Sequence, residues 1–560
     1  MTAAEPSPAP APGEQRPGDP LSAEQRPGEQ EPAGQPPGEQ APWDVVVIGA
    51  GNAGLVAAMT ARHQVPRVLL LERASAAMRG GNTRHTRNVR CVHDEGDEYT
   101  PGAYPFRELW HDLCAVGTGP GDERLAELTV RSSATVPAWM TAHGIRWQRP
   151  LTGTLHLGRT NRFFLGGGKA LINTYHRTAA AMGVTVWYDA CVEDLVLAGG
   201  RCSAVIARVA GRRTEIPGRA FVCASGGFEA NTGWLRRYWG EAADAFIIRG
   251  ARDNDGRVLA ALLGHGARKA GEERGFHAVA VDARAPRFDG GIATRLDSVP
   301  FSVVVNSAGR RFYDEGEEIW PKRYAIWGAN IAGQPGQIAY SIWDAKVNRL
   351  FLPPMYGAAS APDVPALARA LGLPADGVAQ TVATYNRAVV PGGRFDPGTL
   401  DGCHTAGLAP PKSHWAQPID TPPYYGIAMR PGITFTYMGV AVTAAGLVAT
   451  TDGGTFRNVF AAGEIMSGNV LSTGYMAGFG MTIGTVWGRI AGGNAARTAL
   501  GEAPSRDGGA GGAAVASSSS GSSRINGASE ANRINGVSEA ARPPGPEVLE
   551  GLEGPEGPAG

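Results

Sequence analysis

Three features predict an α/β protein in which a Rossmann-like nucleotide domain is interrupted by an inserted α+β segment and flanked by disordered tails. The apolar run at 45–48 enters Gly49-Ala50-Gly51-Asn52-Ala53-Gly54, a second apolar run at 68–71 ends in Glu72-Arg73, and the same texture returns at 459–464 after a long stretch of different character. In such a turn the first glycine makes the tight bend, the second lets backbone approach a pyrophosphate, and the third packs helix on strand. The phosphates would then sit at a helix amino end.

One glycine triplet is a weak signal in a chain with 79 glycines. Its context strengthens it: residues 55–61 are helix-like, and Glu72 closes the next strand where a carboxylate accepts bonds from an adenosine ribose.

The remaining elements follow in order. Residues 1–42 are rich in Pro, Gly, Glu, Gln and Ala, with Glu14-Gln15-Arg16-Pro17-Gly18 repeated as Glu24-Gln25-Arg26-Pro27-Gly28. Such a segment has too little apolar surface to offset the entropy of ordering it. The end matches it, with Gly, Ala and Ser and a repeated Arg-Ile-Asn-Gly at 524 and 533, so 1–42 and 501–560 are expected to be disordered.

A glycine- and arginine-rich loop follows at 79–93, with Gly80, Gly81, Asn82 and Thr83 placed to pass close to a nucleotide and Arg84, His85 and Arg87 placed to face an anion. The pattern at 100–180 is mostly helical, and strands follow at 184–188, 191–196 (holding Val192) and 204–207. A buried strand then ends in small residues, Ala224, Gly226 and Gly227, suited to a second close approach to a dinucleotide.

Short strands, aromatics and proline pairs from 241 to 430 suggest the insertion. The nucleotide domain is thus expected at 43–240 and 431–500. In its second part Gly463-Glu464 ends a strand, and the small residues from Gly474 through Gly478 to Gly484 begin a helix whose N–H groups suit developing negative charge. A substrate cleft is expected where domain and insertion meet.

Charge adds exclusions. Lys+Arg and Asp+Glu both count 52, so no basic excess points to nucleic acid. Six cysteines lie far apart, without Cys-x-x-Cys or metal spacing, so no metal site is expected. No 18-residue apolar run or signal pattern is seen, and a cytoplasmic protein is expected, peripheral to a membrane only through a partner.

At Gly80-Gly81-Asn82-Thr83-Arg84-His85-Thr86-Arg87-Asn88, with Gly463-Glu464 and Asn306-Ser307-Ala308-Gly309-Arg310-Arg311-Phe312, residues 43–497 resemble the flavoprotein family of fumarate reductase, succinate dehydrogenase and 3-ketosteroid dehydrogenase. Within it the first string looks most like the FAD-dependent tricarballylate dehydrogenases. The resemblance implies non-covalent FAD, a capping domain, and oxidation of a C–C bond beside a carboxylate with hydride passing to flavin N5. It also implies a membrane-associated iron–sulfur partner that reoxidises the flavin.

Residue by residue, the resemblance sets His277 near a substrate histidine. The proton-donating arginine of fumarate reductases falls at Asn348 with Arg349 beside it, and their relay glutamate falls at Arg295 after a retained Thr294. Their late arginine falls at Tyr475, and their late histidine falls in the run ending at Tyr437. Arg84, Arg87 and Arg295 are expected as carboxylate clamps, with His85 beside them and Thr294 and Tyr437 also lining the substrate. Tyr475, His277, Tyr437 and Arg349 remain open as the base. A small polycarboxylate is the expected substrate. The alternatives are a 3-ketosteroid dehydrogenase, a reductase of an unsaturated carboxylate, and a flavin electron carrier with no small substrate.

Overall fold

The computed structural model describes residues 41–117, 119–150 and 157–505; apart from 41–42 and 501–505, the two expected tails lie outside the described residues. The strands used below are β1 (Trp43–Ile48), β2 (Val68–Leu71), β3 (Thr185–Trp187), β4 (Ala190–Ala198), β5 (Arg201–Val209), β6 (Arg212–Cys223), β7 (Phe276–Asp282), β8 (Val303–Asn306), β9 (Ala339–Asp344), β10 (Tyr424–Thr436), β11 (Leu447–Ala449) and β12 (Thr455–Ala461).

They build two large sheets. The first has the order β11-β12-β6-β1-β2-β3, with β4 and β5 continuing from β6. β1 runs parallel to β2 and β6, and β12 runs parallel to β6. A parallel strand covered on both faces needs a continuous apolar run, and residues 44–48 are all buried.

Helices Asn52–Arg62 and Phe479–Ala499 pack tightly on each other beside this sheet. Their closeness depends on small residues at four-residue spacing: a Cβ at Gly488 would lie 2.6 Å from Ala53 O, and one at Gly492 would lie 2.3 Å from Ala57 O.

The second sheet is built around the 13-residue β10. β7, β9 and Ala359–Ala361 pair with it antiparallel, Ile247–Ile248 pairs parallel, and β8 follows β9. The expected division at 430 falls inside this strand, where Pro431 lies opposite Ala280 without ending the ladder. One hydrophobic core runs through both sheets, and a smaller one lies around helices Val364–Ala370 and Ala375–Ala388.

Two local expectations change. The 79–93 stretch is not only loop: Gly81–His85 forms a 3-10 turn, and Asn88–Arg90 pairs with Asn161–Phe164. The last helix begins at Phe479 rather than within 474–478, because Gly478 takes a left-handed φ of 83° that a helix interior does not admit. Among the described residues no helix is long and apolar enough to cross a membrane, and no group of three or more His, Cys, Asp or Glu is placed to hold a metal ion.

Candidate cofactor and substrate cleft

The turn leaving β1 opens a cleft that runs from the first sheet to the second. Gly49 has φ 100°, and a Cβ there would lie 2.5 Å from Ala224 O; at Gly54 it would lie 1.8 Å from Gly49 O. Those two glycines serve the fold. Gly51, which lines the cleft as Gly49 also does, differs in that a Cβ there would meet nothing nearer than Thr83 Oγ1 at 3.5 Å. Backbone at an uncapped helix start is therefore open to a ligand, as a pyrophosphate requires.

The other expected cofactor residues gather around it. Ala50, Asn52, Ala53, Glu72, Arg73, Gly81, Asn82, Thr83, Val192, Ala224, Gly226, Gly463, Glu464 and Gly478 all line the cleft. Gly80 and Gly227 do not, and each instead permits a close approach: a Cβ at Gly80 would lie 2.9 Å from the Ile172 side chain, and one at Gly227 would lie 2.1 Å from Thr436 Oγ1.

Glu72 accepts from Ala50 N (3.0 Å) and Ala74 N (2.9 Å); burial raises its pKa while these N–H groups pull the other way. Arg73 is held by Asp255 at 2.7 Å, and Asn52 N donates to Thr83 Oγ1 at 2.9 Å, fixing the turn against the 79–93 stretch. This glycine-lined bed, with an acid at the second strand end, fits an FAD.

Arginines and aromatic rings make the other end of the cleft. Arg87, Arg249 and Arg295 line it, and each keeps a buried nitrogen without a hydrogen-bond partner: Arg87 Nη2, Arg249 Nη1 and Arg295 Nε. Arg249 is anchored by Thr434 Oγ1, which accepts from Nε at 3.0 Å and Nη2 at 2.6 Å. Asp297 is the acid of this group, 2.7 Å from Arg295.

Burial, then the neighbouring Arg295, lowers Arg87 to about 10; burial also lowers Arg249 to about 10. Burial opposes the charge on Arg295 too, but Asp297 outweighs it and the pKa is raised. Three guanidinium groups face one carboxylate here, an arrangement that attracts anions.

The aromatic wall adjoins them. His277 stacks on Tyr475 with ring centroids 4.1 Å apart, and Tyr324 meets His277 edge-on at 5.1 Å. His277 Nε2 is buried without a partner, and burial together with Arg249 and Arg295 holds the imidazole well below its usual range, so it is neutral. Tyr475 Oη accepts from Gly480 N at 3.2 Å, and burial raises its pKa.

Some sequence expectations are placed differently. Arg84 and His85 line the cleft but turn to Asp289, at 2.6 and 3.2 Å, so the charge of Arg84 is already met. Thr294 is buried, donates to Gly291 O and does not line the cleft; Tyr437 is likewise buried outside the lining. Arg349 is exposed on the turn after β9, and neighbouring Asn348 accepts from Trp343 Nε1 at 3.0 Å, so neither residue reaches the cleft.

Arg249, Tyr324 and Asp297 are missing from the sequence reading. The one available signal for Arg249 was an arginine directly after the apolar pair Ile247-Ile248, and nothing local marked the other two.

Comparison with known proteins agrees with this geometry. The chain is 26% identical over 473 residues to an NADH:fumarate oxidoreductase of Klebsiella pneumoniae (strain 342), covering 82% of this chain and 48% of that protein. It is 27% identical to a probable fumarate reductase Ifc3 of Shewanella frigidimarina (strain NCIMB 400), covering 81% and 75%. The chain thus spans about half the length of the first relative. In structure it matches the open conformation of a flavocytochrome c3 fumarate reductase with a TM-score of 0.63 at 23% identity, over 81% of this chain and 78% of that one, which shows a shared fold. A family model described as FAD binding domain (FAD_binding_2) matches residues 44–481, so the chain belongs to that family and binds FAD.

Proposed function

We propose that the chain is an oxidoreductase that uses non-covalent FAD to dehydrogenate a C–C single bond beside a carboxylate, with tricarballylate, oxidised to cis-aconitate, as substrate. The observation that carries this reading is the cluster of Arg87, Arg249 and Arg295, three buried guanidinium groups with unused nitrogens against the single acid Asp297. Desolvated cations left unpaired are costly, and a ligand bearing two or three carboxylates removes that cost. An uncharged steroid leaves it in place.

FAD, when bound, supplies the two-electron acceptor that takes the hydride at flavin N5. The chain's part is orientation and proton handling. The arginines hold the carboxylates and stabilise enolate-like charge as the neighbouring proton leaves. Neutral His277, stacked on Tyr475, is placed to accept that proton; Arg249 and Arg295 lower its basicity, and substrate carboxylates that neutralise them restore it.

In this reading residues 43–240 and 431–500 hold the cofactor and 241–430 form the cap, which contributes Arg249, His277, Arg295 and Tyr324. The reduced protein passes its electrons to a separate, membrane-associated iron–sulfur protein. The relatives' names keep reduction of an unsaturated carboxylate as a second reading, since the same clamp serves either direction.

Anaerobic absorbance of the FAD-bound protein tests the proposal. Bleaching by tricarballylate and not by succinate or a 3-ketosteroid supports it; bleaching by the steroid, or by none of the three with reoxidation of the reduced protein by fumarate, overturns it.

A further inference from the structure

Two acids meet beneath the cleft in an arrangement that substrate binding does not use. Glu464 lines the cleft and accepts from Thr436 N at 2.8 Å. Glu229 lies behind it, with no exposed surface. Its Oε1 accepts from Asn254 Nδ2 at 2.7 Å and from Asn82 Nδ2. Its Oε2 is buried with no conventional donor, and the Glu229 and Glu464 carboxyl groups lie within interaction range of each other. Neither acid has a cation partner among the described residues. Two buried carboxyl groups in contact cannot both be ionised without a large penalty, so the contact needs a proton. Burial raises Glu229 to about 7 although the hydrogen bonds it accepts and its contact with Glu464 pull the other way, and burial followed by the charge of Glu229 holds Glu464 well above its usual range.

The pair is tied to both ends of the cleft. Asn82, which donates to Glu229, also donates to Thr434 O at 2.6 Å, and Thr434 Oγ1 holds Arg249. Other charged groups around the pair are engaged elsewhere: Asp253 and Asp255 with Arg73, and Arg84 and His85 with Asp289. Tyr475 is the titratable neighbour that feels Glu464 directly.

We propose that Glu229 and Glu464 hold one proton between them and are the proton store of this site, taking a second proton from solvent when negative charge builds up in the cleft on reduction. The electrons come from the C–H bond of the proposed carboxylate substrate, or from dithionite in the test below; the proton comes from water and ends on the remaining carboxylate of the pair, which becomes neutral. The inference rests on the FAD assignment for its second half, whereas the shared proton is a property of the chain alone.

The test compares wild type with Glu229→Gln and Glu464→Gln, by infrared spectroscopy of carboxylic acid C=O stretching from pH 5 to 9 and by proton uptake on dithionite reduction of the FAD-bound proteins. Wild type is expected to keep at pH 8 one acid band that is absent from both variants, and to take up at that pH one more proton per two electrons than either. Identical bands and identical uptake in all three overturn the proposal. A wild type with no acid band at pH 8 overturns it alone, even where a variant fails to fold. The band is readable in cofactor-free protein, so failure of FAD binding is told apart from failure of the shared proton.

Discussion

The two ends of the cleft are specified in different ways. The cofactor bed is made of backbone: Gly49 and Gly54 have no room for a side chain, and Gly51 presents bare main chain. The proposed substrate end is made of side chains from distant segments, Arg87 together with Arg249, His277, Arg295 and Tyr324. A backbone site leaves a short, contiguous signature, because the same few residues make both turn and binding surface. A site made of side chains leaves scattered single letters. The first kind is intolerant of any added atom, whereas the second tolerates substitution in the fold and loses only its ligand.

The largest effect should come from breaking the bed. Gly54→Ala places a methyl 1.8 Å from Gly49 O, and loss of at least about 3 kcal/mol of stability is expected, with FAD content falling towards zero. Chemical denaturation and absorbance per protein would check it; full FAD content would show that the turn can relax.

At the other end, Arg249→Met should lower kcat/KM for a polycarboxylate by about 30- to 1000-fold, the equivalent of roughly 2–4 kcal/mol. FAD content should hold, and the substrate-free protein should melt no lower, since a buried cation with an unused nitrogen is removed. A lower Tm together with lost FAD would erase the contrast between the two ends. Tyr475→Phe comes next, with turnover reduced about tenfold or more and FAD retained; unchanged turnover would remove the hydroxyl from proton handling.

A smaller effect concerns pH. Burial lowers His85 to about 4, so its folded-state pKa lies below the ordinary 6.5. The unfolded chain then binds the proton more readily, and stability tied to this group is present above 6.5 and lost as pH falls towards 4. His85→Gln should flatten that part of a Tm-versus-pH curve. Smallest of all, Arg349→Ala should change kcat/KM less than about twofold, because the side chain is exposed outside the cleft.

By itself the sequence determined the nucleotide fold and the cofactor bed. The buried run 44–48, the glycine turn, Glu72 and Gly463-Glu464 are local patterns whose spacing alone dictates their geometry, and residues 48–53, Glu72 and Gly463-Glu464 line the cleft. It also brought Arg87, Arg295, His277 and Tyr475 into view through resemblance. Only the tertiary structure decided which charges are free. Arg84 is adjacent to a cofactor string in sequence yet is satisfied by Asp289, 205 residues away, while Arg249 has no motif and emerges with an unused nitrogen in the cleft. Likewise Glu229 and Glu464 become one acid pair only when β10 and the strand-end loops fold together. Whether a buried charge has a partner depends on contacts between distant segments, and no local spacing encodes them.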